Sequence, residues 1–503
     1  MANTTHTLIP EQTSPTLTYF KQLAREFILD ISTLTRRKVT LLDTMDQALA
    51  RKGFMLLRSG DQVQLLNAAF DETESYEVTD EELNTDFSGP CDHSLIQMRL
   101  KKLIPLQRLV KVWEGTTSDR EILLYTPGYR SSATLKVISW GRNSMIFFST
   151  EERKPGEAVK FMDRLGKDGF KNCNEPWIFH LLDKQNLPVY RTIPLESLLP
   201  SPQIPARKAV CDIVLNYLRS VRYYEPGVIE NIDTECLHQY RVFLRKIRSL
   251  ISLLGFVFPE EDSTWLKTSL RSIQQQTNRL RDIHVQGLGS GGLNGSLPAI
   301  VHDQVQSMNQ EICNHETEEF KRVCELLKSE KYLAEIERIQ RYFETAYQLP
   351  VDEIAVQPIG EVAHETLDKT YKKIRKRIRR IKIHSEDDAV HDLRIRFKKI
   401  RYLLEFFQPL FDEKSSKILL KRLRKVQNTL GDFNDTSVQQ SELAEKYKPI
   451  LDGKNSAQKK AFAAGVTYGV LHTRNRQLKD LSIERIQEFD NDRIHAVLRK
   501  LTR

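Results

Sequence analysis

Two copies of one cationic pattern are the residues of this sequence best suited to a specific chemistry. The pattern H-x-x-R-x-x-x-[RK]-K-x-R begins at His238 and again at His391, an offset of 153 residues. Arginine forks match phosphate oxygens, lysine adds a compact charge, and histidine gains a proton beside an anion. The pattern therefore predicts binding of an anion that carries several charges. Its members are His238, Arg241, Arg245, Lys246 and Arg248 in the first copy and His391, Arg394, Lys398, Lys399 and Arg401 in the second.

The spacing places most of these cations on one face of a helix. At 100° per residue, positions 0, 3, 7 and 10 fall within about 80°, position 8 lies at the edge, and the stripe is about 15 Å long. Like charges three and four residues apart repel one another. Either stripe alone would be read as a solvated helix face, but its recurrence with histidine in register favours an extended anion as the ligand.

Further basic residues extend this set. Lys373, Arg377 and Arg380 follow at i, i+4 and i+7 within the segment Tyr371 to His384, which is predicted to be one helix. Arg271 and Arg424 hold equivalent positions in the two copies. We expect these rows to face one another across a charged groove.

The elements that must position these residues are duplicated as well. The match runs without a gap from His238–Val285 to His391–Val438, and apolar positions repeat within it. A whole helical hairpin is therefore predicted to occur twice, with the two units packed about a pseudo-twofold axis. The glycine-rich run Gly287 to Pro298 is predicted to be a loop between helices.

The chain is predicted to be multidomain. From about Thr33 to Ile193, short apolar runs alternate with turn residues, which indicates an α+β domain with an antiparallel sheet. The segment Leu198 to Ala206 carries three prolines and is predicted to separate the domains. We expect domains at residues 1–200 and 201–503, the second being all-α with halves at about 205–345 and 360–503.

Composition restricts the remaining classes of protein. The formal charge is +9 with a pI near 9.0, and the six cysteines form no C-x-x-C pair. We expect reduced thiols, a cytoplasmic protein, no membrane span, no metal and no cofactor. The sequence leaves the oligomeric state open. Four aromatic residues continue the apolar face of the second cationic helix and are predicted to be core; these are Tyr402, Phe406, Phe407 and Phe411.

The C-terminal part resembles the CHAD family, the conserved-histidine α-helical domain. The segments VHDLRIRFKKIRYLLEFF and LHQYRVFLRKIRSLISLL are similar to the helices of that family's two halves, and NRLRDIHVQ and NTLGDFNDTSV to its later signatures, with His284 in place of an acid. The resemblance spans roughly Pro205 to Arg503. It implies two pseudo-symmetric four-helix bundles whose basic central surface binds inorganic polyphosphate without catalysis.

The N-terminal part is similar, more faintly, to the CYTH superfamily of triphosphate tunnel enzymes. The segment TRRKVTLLDTMDQALARKGFMLLRSG carries this likeness, with Leu42 where an aromatic residue is usual. The E-x-E-x-K strand that holds divalent metal in catalytic members has no counterpart in REFILDISTLTRRK. Residues with suitable charge for a tunnel are Arg58, Arg108, Lys136, Glu121, Glu151 and Glu152.

Three functions are thus open at this point. The leading one is a non-catalytic polyphosphate-binding protein, located in the cytoplasm and associated with polyphosphate granules. The first alternative is a metal-dependent inorganic triphosphatase that acts through the N-terminal domain. The second is a nucleic-acid-binding helical protein, which the absence of a recognition module and of clear stacking aromatics makes the weaker interpretation.

Overall fold

The computed structural model of this chain describes residues 4–10, 15–67, 73–83, 94–126, 130–141, 143–150, 156–172, 177–285, 296–348, 353–382, 385–447 and 458–501. The chain divides into two compact units. The first comprises Met1–Arg191 with Asn231–Glu235, and the second comprises Thr192–Glu230 with Cys236–Arg503. The first contains an antiparallel sheet and the second is helical, so the predicted fold class is confirmed.

In the described ranges, the sheet of the first unit has ten strands in the order β10-β1-β9-β8-β7-β3-β4-β5-β6, and β2 also pairs with β7. Every pairing is antiparallel. The strands are β1 Thr4–Pro10, β2 Ile28–Ile31, β3 Thr35–Asp43, β4 Phe54–Ser59, β5 Gln62–Asn67, β6 Thr73–Glu77, β7 Val110–Thr126, β8 Arg130–Trp140, β9 Asn143–Thr150 and β10 Phe170–Asn172.

Both faces of the central strands are covered. On β8, Ala133, Leu135 and Val137 point into one core cluster, whereas Ile138 and Trp140 belong to another. Side chains alternate between the faces of a strand, so one strand serves both clusters. The helices of this unit are α1 Leu17–Leu23, α2 Ala48–Arg51, α3 Asp80–Leu83, α4 Leu95–Leu103, α5 Gly156–Lys167 and α6 Trp177–Lys184.

The second unit is built from long amphipathic helices. Its first half contains α7 Leu195–Leu198, α8 Ala206–Ile229, α9 Thr234–Leu254, α10 Glu260–Gln276, α11 (residues 278–285), α12 His302–Cys313, α13 Glu316–Lys328 and α14 Glu330–Thr345. Its second half contains α15 Glu353–Val356, α16 Ile359–Ile378, α17 Asp387–Phe406, α18 Glu413–Tyr447, α19 Gln458–Phe489 and α20 Asp492–Leu501. Residues 287–295 of the predicted glycine-rich loop lie outside the described residues.

The duplication seen in the sequence is present in the helices. α16, α17 and α18 begin 153 residues after α8, α9 and α10, and a 3₁₀ turn follows the cationic helix in both halves, at Gly255–Val257 and Gln408–Leu410. A proline immediately precedes both α8 and α16, so these two helices begin at equivalent residues of the repeat. The repeat therefore begins earlier in the chain than the matched segment His238–Val285 indicated.

Two reciprocal hydrogen bonds join the halves. Ala206 N donates to Gln357 O at 2.9 Å, and Ile359 N donates to Ile204 O at 2.8 Å. Each bond is the 153-residue counterpart of the other, and both flank the antiparallel bridge between Pro205 and Pro358. This is the arrangement that a local twofold axis produces, so α8 and α16 start side by side at this point.

The core confirms the role predicted for the aromatic residues. Tyr402, Phe406, Phe407 and Phe411 are all buried. The Phe406 ring also lies 6.0 Å, between centroids, from the ring of Tyr217 in the first half. Aromatic contact between the halves adds to the packing that holds the cationic helices in place.

One predicted element is wrong in its extent. The helix expected over Tyr371 to His384 ends at Ile378, and residues 379–380 form a turn. The buried Ile381 follows this turn. Arg380 therefore does not continue the row of Lys373 and Arg377. His384 lies outside the described residues.

Candidate anion-binding site

The cationic stripes of α9 and α17 meet where the halves adjoin. Burial lowers the pKa of Arg394 and of Lys398 on α17, and repulsion by Arg245 on α9 acts in the same direction, whereas Asp435 opposes the shift. Arg401 likewise repels Lys246 across the junction. We call these residues the junction cluster; its members are Arg245, Lys246, Arg394, Lys398 and Arg401.

Lys398 is the most strongly perturbed lysine of this cluster. Burial lowers its pKa to about 8, and the neighbouring charges of Arg394, Arg245 and Arg401 act in the same direction. Asp435 opposes the shift. An ammonium held among three guanidinium groups and removed from water is destabilised, and a bound anion would relieve both causes.

The guanidinium groups of α17 are only partly satisfied. Within the described residues, the buried Nε atoms of Arg394 and Arg401 have no hydrogen-bond partner. Arg401 approaches Glu405 Oε1 at 3.6 Å, which is an ion pair rather than a good hydrogen bond. Over the same residues, no carboxylate lies within 4.0 Å of the cationic nitrogens of Arg245, Arg394 or Lys398. Donors without hydrogen-bond partners beside cations that form no close ion pair are suited to an anionic ligand.

Lys246 is held by aromatic rings. Its Nζ lies 5.2 Å from the ring centroid of Tyr217 and 5.1 Å from that of Phe243. Burial lowers its pKa, while Glu405 in the second half opposes the change. The rings and Glu405 fix this ammonium at the junction. The repeat did not indicate Tyr217 or Glu405, because neither belongs to the cationic pattern.

The two equivalent arginines have different roles. Arg241 is 9% exposed, and its Nη1 donates to Gln274 O at 3.0 Å and to Thr277 Oγ1 at 2.6 Å. Its Nη2 donates to Asn278 Oδ1 at 2.9 Å. These acceptors are available because α10 ends at Gln276, whereas α18 continues past the equivalent position. Burial lowers the pKa of Arg241 to about 10.

This difference corrects part of the predicted site. Arg241 uses its donors to hold the end of α10 and does not present them at the surface, although sequence placed it in the stripe. Arg394, its partner in the repeat, makes no such contacts among the described residues. Arg248 donates a hydrogen bond to the side chain of Gln274. Burial lowers the pKa of Arg248, and repulsion by the exposed Arg271 acts in the same direction.

The two histidines differ as well. His238 is half-buried, and burial together with Arg281, Arg245 and Arg241 lowers its pKa to about 4. It is therefore neutral at pH 7 until an anion approaches. His391 is exposed near the start of α17. Arg281 was missed by the sequence interpretation because the second copy has Asn434 at that position.

The row on α16 lies beside α17. Lys373 repels Lys399, and Arg377 Nη1 lies 3.5 Å from Asp392 Oδ2. Lys399 lies at the edge of the second stripe, whereas Asp392 lies on the opposite side of α17 from Arg394, and the expectation that these rows face one another across one groove stays a prediction. Arg380 and Arg424 are exposed, and no described contact joins them to the junction cluster.

The first unit contains a separate cavity of about 290 Å³ on one face of its sheet. Of the residues considered for a tunnel, Lys136 lines it, and Arg58, Arg108 and Glu121 do not. Arg58 instead pairs with Asp80 at 2.5 Å. Glu151 and Glu152 lie outside the described residues. Among the described residues of either unit no cluster of three potential metal ligands is found.

Comparison with known proteins places part of the chain in a family. Residues 212–444 match the family model of the CHAD domain. Two uncharacterized proteins of Mycobacterium tuberculosis, from strains CDC 1551 and H37Rv, are each 26% identical over 277 residues, covering 53% of this chain and 48% of the relative. The chain thus spans about half the length of the curated relatives it matches.

Two solved structures are similar to part of this chain. The CHAD domain of the plant Ricinus communis is 25% identical, with a TM-score of 0.45, and covers 60% of this chain and 94% of that chain. PptA from Streptomyces chartreusis is 12% identical, with a TM-score of 0.43, and covers 56% and 98%. No helix within the described ranges is long and apolar enough to cross a bilayer.

Proposed function

Residues 212–444 of this chain form a CHAD domain, and from that premise we propose that its helical unit binds linear inorganic polyphosphate as a non-catalytic module. The CHAD family is associated with polyphosphate binding. The observation that carries the proposal is the approach of Arg245 to Arg394 and Lys398 across the junction, without a carboxylate ion pair among the described residues.

The chemistry of the junction cluster favours a chain of phosphates over a single ion. Its five cations come from two helices, and the predicted stripe on each helix is about 15 Å long. One phosphate occupies a few donors, whereas a linear polymer offers a charge at each repeat and follows the junction. Each arginine then gains charge-assisted hydrogen bonds that the free protein lacks.

Nucleic acid fits the same surface less well. Base stacking requires exposed rings, and the aromatic residues of α17, Tyr402 and Phe406 among them, are buried. The rings beside the cluster, Tyr217 and Phe243, are buried and lie against Lys246. A backbone of phosphates alone uses the features present. Recruitment to polyphosphate granules follows if binding is tight at cellular salt.

The test is a competition experiment on the full chain. A fluorescent polyphosphate of about 100 phosphates is bound by the protein and then displaced by unlabelled polyphosphate, RNA or DNA at matched phosphate concentration. We expect polyphosphate to displace the probe at concentrations at least tenfold lower than RNA or DNA, and binding to weaken steeply with salt. Equal displacement by RNA would overturn the proposal.

Variants locate the site. Lys398→Gln and Arg245→Gln should each weaken binding about tenfold or more, whereas Lys414→Gln, at an exposed position on α18, is the matched control. A fluorescent fusion should associate with granules in cells and lose that association with the Lys398 and Arg245 variants. Retention of the fusion at granules despite lost binding in vitro would refute the targeting part alone.

A further inference from the structure

The cavity of the first unit is apolar at one end of the strands that line it and polar at the other. At one end, Leu41 lies opposite both Leu57 and Trp113, and Met55 lies opposite Leu66. At this end Leu41, Met55 and Leu66 are buried. Leu181 of α6 also lines the cavity and belongs to the same apolar cluster. One end is therefore an apolar floor.

The other end is polar and carries charge. Arg37 lies opposite Thr117, and Ser59 lies opposite Gln62, and all four line the cavity. Two further lining residues are Lys136 and Asp119, the latter paired with Arg37 Nη2 at 3.1 Å. Glu121, which neighbours Lys136 across the β7 and β8 pair, does not line the cavity. The lining thus holds two cations and one carboxylate.

A glycine opens the floor beneath the tryptophan. Gly115 follows Trp113 by two residues on β7, so both face the cavity side. A Cβ added at Gly115 would lie 2.7 Å from Trp113 Cη2 and even nearer to the adjoining ring carbon, so the indole lies directly over the glycine. Any larger residue would displace the ring. The space in the cavity therefore depends on Gly115, which does not itself line the cavity.

From this arrangement we propose that the cavity binds a small amphipathic acid, with its apolar body on the floor and its carboxylate at Arg37 and Lys136. A volume of about 290 Å³ accommodates roughly ten non-hydrogen atoms, at about 30 Å³ for each water-sized group. The apolar floor does not suit a triphosphate, because a polyanion placed there would lose its hydration without finding partners. The proposal does not depend on the function of the helical unit.

Octanoate, which has ten non-hydrogen atoms, is the probe for the full-length protein. We expect a dissociation constant on the order of 0.1–1 mM by isothermal titration calorimetry, as for other ligands of this size. Octylamine, of equal length and opposite charge, should bind at least tenfold more weakly. Tripolyphosphate should not displace octanoate. Equal binding of octylamine, or displacement of octanoate by tripolyphosphate, would overturn the proposal.

Two variants and one control place the ligand in the cavity. Gly115→Ala should weaken octanoate binding at least tenfold by moving Trp113, whereas Gly166→Ala on α5, where a Cβ meets open space, should leave it unchanged. Arg37→Gln should weaken octanoate at least fivefold without affecting octanol. If Gly115→Ala does not fold, as judged by circular dichroism, Arg37→Gln decides the question, and unaltered octanoate binding in that variant contradicts the assignment.

Discussion

Replacing the two equivalent arginines should separate stability from ligand binding. Arg241→Gln removes three hydrogen bonds from a guanidinium that is 9% exposed. Hydrogen bonds to charged groups contribute about 1.5–3 kcal/mol each, but Thr277 and the backbone keep other partners and the contributions do not add. We expect the free energy of unfolding to fall by about 2–4 kcal/mol.

Arg394→Gln should do the opposite. In the free protein burial and repulsion by Arg245 lower the pKa of this arginine while Asp435 opposes them, and its buried Nε has no hydrogen-bond partner among the described residues. Its removal should therefore leave stability unchanged or raise it slightly. Loss of one charge-assisted contact should weaken polyphosphate binding roughly ten- to hundredfold and reduce the slope of log Kd against log salt by about one.

The assays are thermal unfolding and polyphosphate binding by fluorescence anisotropy at several salt concentrations. At about 2 °C per kcal/mol for a domain of this size, Arg241→Gln should lower Tm by about 4–8 °C, with affinity kept within about threefold. Lysine at position 394 should restore part of the binding, since charge is retained and the fork is lost. The reasoning is refuted if Arg241→Gln unfolds like the wild type and binds polyphosphate as poorly as Arg394→Gln.

Three other outcomes follow from the helical unit. Burial and repulsion depress the pKa of Lys398 to about 8, so polyphosphate affinity should fall as pH rises from 7 to 9.5. Calorimetry near pH 8 should show that protons are taken up when polyphosphate binds. Lys398→Met should abolish this proton uptake, whereas the control Lys421→Met should not. His238 has a folded pKa of about 4, below its unfolded value of about 6.5, so the unfolded chain binds more protons between these two pH values. The free energy of unfolding measured in urea should therefore fall as the pH is lowered from 6.5 to 4. The fall should be smaller in His238→Gln. Gly360→Ala places a Cβ 2.8 Å from Pro202 Cβ and should lower the free energy of unfolding in urea by about 1–3 kcal/mol. Gly431→Ala, in open space within α18, should raise it by about 0.5–1 kcal/mol. Equal effects of the two substitutions would contradict the packing described.

The main elements of the helical unit follow from local pattern. The 153-residue offset, the helices carrying the two stripes and the buried positions of Phe406 and Phe407 follow from periodicity, which depends on neighbouring residues only. The CHAD resemblance is confirmed over residues 212–444. The CYTH-like character of the sheet unit stays a prediction.

What the sequence did not reveal depends on distant contacts. The commitment of Arg241 to the end of α10 requires the helix break at Thr277, and nothing in the cationic pattern marks that break. The end of α16 at Ile378 was also missed, because residues 379–380 form a turn within a continuous basic run. The Arg241 case shows tertiary contacts overriding a role expected from the cationic pattern.

The reciprocal bonds beside Pro205 and Pro358 have the form of an isologous dimer interface, in which each surface contacts its own copy. In a true homodimer, any substitution appears on both sides at once. Here both surfaces belong to one polypeptide, so each half is free to change alone. In the first half Arg241 accordingly stabilises the fold, while in the second half the equivalent Arg394 stays available for a ligand.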